Sequence, residues 1–184
     1  MTGGVVIVTG PPGAGKTTLA RRLAKGADRP AVHLVCDQFF DAIRSGFIAP
    51  WLAESHAQNR TINEAIAAAA IAYARGGYTV FVDGVVGPWF LDIFRVAAGS
   101  ADVPLDYVVL RLARETVVAR ARDRAEGPLP EYPPHIFEGF ANVGEFEPCV
   151  LEVGEADLEA VADSVTEGLK ARRFRLSPAR NEPF

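Results

Sequence analysis

The sequence predicts an α/β fold, a three-layer sandwich in which one five-stranded parallel sheet carries helices on both faces. Three observations predict it. Five short apolar runs, Val5 to Thr9, Ala31 to Cys36, Thr79 to Asp83, Leu105 to Leu112 and Cys149 to Val153, alternate with stretches of helical apolar spacing. The first run passes through a glycine-rich turn directly into a helix, in the order strand, turn, helix. The 184 residues, 49% of them hydrophobic, suffice for one substantial core and are too few for two ordinary α/β domains.

Val5, Val6, Ile7 and Val8 are apolar and β-branched, as a buried parallel strand requires. The turn that follows, Gly10 to Thr17, reads GPPGAGKT and fits the spacing GxxxxGK followed by Ser or Thr. Helical spacing of Leu19, Ala20 and Leu23 then predicts a helix over Lys16 to Lys25. Glycines at these positions let the backbone wrap around a polyphosphate, so that successive N–H groups and the positive helix terminus face its oxygens. Gly10, Pro11, Pro12, Gly13, Ala14, Gly15, Lys16, Thr17 and Thr18 are thus the expected nucleotide cradle of a P-loop NTPase sandwich. Lys16 would reach the β and γ phosphates, and Thr17 offers Mg²⁺ a hydroxyl oxygen.

In such sheets the ligand lies beyond the carboxyl ends of the strands, which singles out the closing residues Gly10, Asp37, Asp83 and Arg114. Asp37 is a candidate general base for a hydroxyl attacking a phosphoryl group, with Asp41 one helical turn on as a second candidate. It is equally a natural cap for a helix predicted over Gln38 to Ser45. Asp83, closing TVFVDG, can serve Mg²⁺ through water, bind the acceptor, or open the turn before GVVGP.

Between them, Pro50 to Glu64 sets Trp51 among His56, Gln58, Asn59, Arg60 and Asn63, just ahead of a helix predicted over Thr61 to Arg75. Trp51, Arg60 and Asn63 can line an acceptor pocket together with Asp37 and Asp83; the alternative is an interhelical loop capped by Asn59 or Thr61. A helix over Trp89 to Ala97 follows. Past the fourth strand, a helix over Glu115 to Ala125 carries Arg120 and Arg124 on one face before a loop with four prolines. That segment, about residues 120–135, has the makings of a lid whose arginines neutralise a γ-phosphate; Asp123 and Glu126 can instead pair with them on a solvated helix. A last helix spans Leu158 to Lys170, so the domain is expected over residues 1–170 and a basic tail over 171–184.

The formal charge of −4 gives no general attraction to nucleic acid or anionic membrane. No stretch has the length of a membrane span or the form of a secretion signal, so a cytoplasmic location is expected. Cys36 and Cys149 belong to no CxxC or Cys/His cluster and are read as buried thiols. His33 and His135 receive no role.

With these residues placed, the chain resembles the small P-loop kinases that include chloramphenicol phosphotransferase, the tunicamycin-resistance ATP-binding protein, gluconate kinase and the zeta toxins. GPPGAGKT is the nucleotide motif, and Asp37 stands where chloramphenicol phosphotransferase and its relatives place a catalytic aspartate. Val82 to Gly84 is similar to the third-strand motif of nucleoside monophosphate kinases, and Leu110 to Arg124 to the group's fourth strand and arginine-bearing lid helix. The resemblance implies transfer of the γ-phosphate of ATP, with Mg²⁺, to an alcohol on a small molecule by a monomer or homodimer. DGVVGPW lacks the arginine that follows the third-strand glycine in adenylate kinase, and no gluconate-kinase-like histidine follows Asp37. An uncharged or weakly polar acceptor, such as an antibiotic or nucleoside-like natural product, is therefore expected. The alternative is a regulatory NTPase that hydrolyses ATP to control a partner; the sequence has neither the NKxD motif of GTPase switches nor the LSGGQ signature of transport ATPases.

Overall fold

A computed structural model describes residues 3–112, 134–154 and 157–177. Strands β1 (Gly4–Thr9), β2 (Ala31–Val35), β3 (Thr79–Asp83), β4 (Leu105–Arg111) and β5 (Val150–Glu152) form one all-parallel sheet in the order β2-β3-β1-β4-β5. Helices α1 (Lys16–Lys25), α2 (Cys36–Asp41), α3 (His56–Arg75), α4 (Pro88–Ser100), α5 (Pro134–Ala141) and α6 (Leu158–Lys170) flank it, with α1 against α6 and α3 against α4. The predicted three-layer sandwich and its five strands are therefore present.

The central position of β1 follows from its composition. Val5, Val6, Ile7 and Val8 are all buried, although alternate residues point to opposite faces, because helices cover the sheet on both sides. The strand's carboxyl end, and the loop that continues it, lie mid-sheet between β3 and β4. Among the described residues no helix is long and apolar enough to cross a membrane.

Four local expectations change. First, α2 starts at Cys36 and ends at Asp41, with Val35 before its first turn, so Asp37 lies within the helix and does not cap it. Second, α3 begins at His56 and not Thr61: a 3-10 turn over Ala53–Ser55 leads straight into it, and the Ser55 hydroxyl donates to the Pro50 and Leu52 carbonyls at 2.9 and 2.7 Å. Third, α5 occupies Pro134–Ala141 at the end of what reads in sequence as a proline-rich flap. Proline is favourable in a first helical turn, and Ile136 and Phe140 have the spacing of one helical face, with Phe140 buried.

Fourth, residues 171–177 are packed and do not trail away as the first part of a tail. The short strand β5 pairs only with the last residues of β4, leaving the edge of Leu105 to Tyr107 to be covered by another segment. The chain past α6 does this: Tyr107 N–H donates to the Phe174 carbonyl and Leu176 N–H to the Leu105 carbonyl, both at 2.9 Å. Arg175 binds the buried Asp106 carboxylate through two bonds of 3.0 Å. Phe174 is fully buried, its ring lying where a Cβ on Gly168 would stand 2.3 Å away. An exposed sheet edge is an association hazard, and this segment closes it.

Candidate active site

The loop after β1 is built from backbone conformations that side chains disfavour. Gly10, Gly13 and Gly15 have φ of 145°, 84° and 87°. A Cβ on Gly10 would lie 2.4 Å from the Leu110 carbonyl oxygen, so the loop can leave β1 only through glycine. Gly15 has nothing within 4 Å of where its Cβ would be, which is the open side of a cradle, and α1 begins immediately after it. Lys16 Nζ donates to the Pro11 carbonyl at 3.0 Å, across the loop.

Thr17 Oγ1 donates to Asp83 Oδ1 at 3.0 Å, while His33 Nε2 hydrogen-bonds Asp83 Oδ2. Parallel register produces this arrangement: Val8 of β1 and Val35 of β2 both align with Asp83 in β3, so the three strand ends converge. Asp83, only 3% exposed, is thereby placed beside the loop and not in the acceptor cavity described below. His33, unassigned from sequence, is its buried-side partner. Only the cross-strand register discloses that role.

Cys36 sits where these groups meet. Its thiol is pushed well above the ordinary cysteine range, first by complete burial and then by the carboxylates of Asp83 and Asp37, with Lys16 acting in the opposite sense. It is accordingly a protonated packing group and not a nucleophile. The site's Gly84 exists to admit it: a Cβ on Gly84 would fall 2.5 Å from Cys36 Sγ and 2.6 Å from its Cβ. Gly84→Ala is expected to cost ~1–3 kcal/mol of stability by overpacking, read as a lower Tm in thermal unfolding.

Beyond the carboxyl ends of β2 and β3 opens a cavity of about 730 Å³. Cys36, Asp37, Phe40 and Asp41 of α2 form one wall, and Asn59 and Asn63 of α3 another. The connecting loop adds Phe47, Pro50 and Trp51; Val85, Val86, Trp89 and Phe90 come from the β3–α4 side, and His135, Ile136 and Gly139 from α5. Gln58 fixes the connecting loop by bonding both N–H and carbonyl of Ile48, at 2.8 and 2.6 Å. Trp89 lies between two glycines, since a Cβ on Gly87 or Gly139 would come within 2.3 and 2.7 Å of its ring. It meets Phe140 edge-on at 5.7 Å.

Asp37, Trp51 and Asn63 are thus brought together as the sequence suggests, and Asp41 joins them. Arg60 is not. The earlier start of α3 puts Asn59 and Asn63, four apart, on its buried face and turns Arg60 outward, where it pairs with Glu64 at 2.9 Å. Arg120 and Arg124, and the lid helix predicted to carry them, lie outside the described residues. Phe40, Trp89 and His135 line the cavity without having been singled out; the helical spacing of Cys36, Asp37, Phe40 and Asp41 was the available signal for the first. A second, smaller cavity of about 280 Å³ lies between the loop's Pro11 and α5, where Arg111 is held by Glu147 at 2.7 Å.

Sheet order, loop and converging strand ends define a P-loop protein of the small-kinase fold. Residues 5–133 match the model of a family described as an AAA domain, and the chain belongs to that family. No curated protein matches the sequence. Among solved structures, the tunicamycin resistance protein of Deinococcus radiodurans is similar over 96% of this chain and 99% of its own, with a TM-score of 0.68 at 14% identity. A gluconokinase from Sinorhizobium meliloti 1021 has a TM-score of 0.68 at 17% identity, covering 92% and 93% of the two chains. The Mycobacterium tuberculosis APS kinase, solved with AMPPNP and APS, has a TM-score of 0.66 at 18% identity, covering 92% and 98%. At these identities the likeness is one of fold.

Proposed function

We propose that this protein is an ATP-dependent kinase that transfers the γ-phosphate to a hydroxyl of a small molecule held in the 730 Å³ cavity. The observation that carries the reading is the adjacency of two sites around Cys36. On one side are Lys16, Thr17 and Asp83 at the glycine-rich loop; on the other, Asp37 in the wall of a largely apolar cavity that opens to solvent. A nucleotide-binding loop alone serves hydrolysis as well as transfer. A neighbouring cavity with its own carboxylate supplies a place for a second substrate.

In this reading the acceptor oxygen attacks the γ-phosphorus, the bond to the β–γ bridging oxygen breaks, and the hydroxyl proton passes to Asp37. Asp37 orients the hydroxyl as it accepts the proton. Lys16 turns from the Pro11 carbonyl to the phosphates and stabilises charge on the transferring group. Arg120 and Arg124 are proposed to close over the γ-phosphate. The Thr17 hydroxyl and Asp83 carboxylate, 3.0 Å apart and both oxygen donors, suit Mg²⁺, which when bound would neutralise phosphate charge. His33 holds the second Asp83 oxygen. His33→Ala is expected to raise the Mg²⁺ concentration needed for half-maximal activity by roughly 10–100-fold, as loss of a ligand's orienting partner does. A Mg²⁺ titration of turnover measures it.

An antibiotic or nucleoside-like natural product has the size and apolarity that Trp51, Trp89, Phe40 and Phe90 would accept. The test is transfer from γ-labelled ATP with Mg²⁺ across a panel of hydroxylated metabolites and antibiotics, beside a water-only control. A labelled acceptor is the expected result. Hydrolysis stimulated by a protein partner, with no labelled acceptor, would favour the regulatory NTPase instead.

A further inference from the structure

The loop between β3 and α4 leaves the sheet inside the molecule, where its backbone needs partners. Gly84 N–H makes a last contact of 3.4 Å with the Val8 carbonyl, and beyond it the ladder between β1 and β3 has ended. Val86, further along, is 1% exposed, so neither its N–H nor its carbonyl can turn to bulk water. Two side-chain hydroxyls satisfy them. Val86 N–H donates to Thr9 Oγ1 at 3.0 Å, and the Tyr107 hydroxyl donates to the Val86 carbonyl at 2.8 Å. Thr9 and Tyr107 are both fully buried.

Strand register explains how two strands reach the same loop residue. Tyr107 of β4 aligns with Ile7 of β1, and Thr9 is the next residue of β1 on the same face of the sheet, so the two hydroxyls stand on one side. The Tyr107 ring is fixed edge-on against Phe146 at 5.7 Å, and its backbone N–H is held by the Phe174 carbonyl. Burial pushes the phenol above the ordinary tyrosine range, so it stays protonated and donates.

These bonds lie between the two halves of the site. Thr9 is the last residue of β1, directly before the glycine-rich loop. Val86 stands in the chain between Asp83 and Trp89, and with Val85 it forms part of the cavity wall. Valine at position 9 and phenylalanine at position 107 would fill nearly the same space. What the hydroxyls add is a fixed distance and direction between the wall and the loop's strand, which non-directional apolar contact does not supply.

Resting on the kinase reading, we propose that Thr9 and Tyr107 are positioning residues: by pinning Val86 they set the wall formed by Val85, Val86 and Trp89 at the distance from the glycine-rich loop that transfer to the acceptor requires. Neither residue lines the cavity, so both act through Val86.

Thr9→Val and Tyr107→Phe each remove one of the two bonds while nearly keeping shape, and Thr9→Ser keeps the acceptor oxygen. With an acceptor found in the panel, each bond-breaking variant is expected to lower kcat/KM for that acceptor by roughly 10–100-fold, the scale of a small misplacement, while the Kd of AMPPNP stays within about twofold. Retained AMPPNP binding shows that the variants are folded, and Thr9→Ser should stay close to the unsubstituted protein. A second readout needs no transfer. In a Trp51→Phe background Trp89 is the remaining tryptophan, and its emission maximum and quenching by acrylamide should change with Thr9→Val and Tyr107→Phe but not with Thr9→Ser. Full acceptor kcat/KM in both bond-breaking variants, an equal loss of acceptor kcat/KM and AMPPNP affinity, or Thr9→Ser as impaired as Thr9→Val overturns the proposal. If the unsubstituted protein labels no acceptor, the kinase reading fails and Trp89 emission decides: a change confined to the bond-breaking variants keeps the two hydroxyls as the setting of the wall, and an unchanged spectrum overturns that as well.

Discussion

Asp37→Asn is expected to lower kcat for phosphate transfer by ~10²–10⁴-fold, the range associated with losing a positioned acid–base group, while leaving ATP affinity essentially unchanged. The separation of effects follows from position. Asp37 lies in the first turn of α2 and faces the acceptor cavity, whereas the loop from Gly10 to Thr17 approaches the same region from β1. An amide is nearly isosteric with the carboxylate, so it keeps the cavity's shape while losing the capacity to take the hydroxyl proton. Steady-state kinetics with a saturating acceptor, beside an independent nucleotide-binding measurement, gives both numbers. Unchanged kcat would remove Asp37 as the base and leave Asp41, on the same helical face, as the residue to substitute next.

Lys16→Ala is expected to act on both quantities. With no ammonium to follow the charge on the transferring group, kcat/KM for ATP should fall by ~10²–10³-fold, the scale for removing one electrostatic stabiliser of a transition state. Nucleotide affinity should weaken as well, because the same group contacts the phosphates in the ground state. The fold should survive, since Gly10, Gly13 and Gly15, and not Lys16, set the loop's path. A thermal unfolding midpoint close to that of the unsubstituted protein, combined with the kinetic loss, is the predicted pair of observations. Full activity in this variant would mean that the loop is not a phosphate site.

The loop was legible in sequence because its conformation is encoded locally: each unusual φ is met by a glycine in one contiguous octapeptide. Asp37 and Asp83 were legible as acids ending apolar runs, which parallel topology brings to one rim. What the sequence hid depends on contacts between distant segments. His33 reads as a lone histidine inside a strand, and only the alignment of β2 with β3 turns it towards Asp83. Arg60 was misplaced because a 3-10 turn advances the start of α3 by five residues, which rotates Asn59 and Asn63 inward and Arg60 out. Residues 171–177 look like a solvated basic end until the short length of β5 shows that the edge of β4 needs a cover. Prolines on its amino-terminal side disguised α5 in the same way, although proline belongs at a helix start.

The central claim is that the phosphate goes to a molecule in the cavity and not to water. Single-turnover partition of label from γ-labelled ATP, with an acceptor found in the panel and Mg²⁺ present, tests it most directly. The account predicts label on the acceptor with the unsubstituted protein, and label remaining in ATP with Asp37→Asn. Label released as inorganic phosphate by both proteins, at rates indifferent to the acceptor, would contradict it.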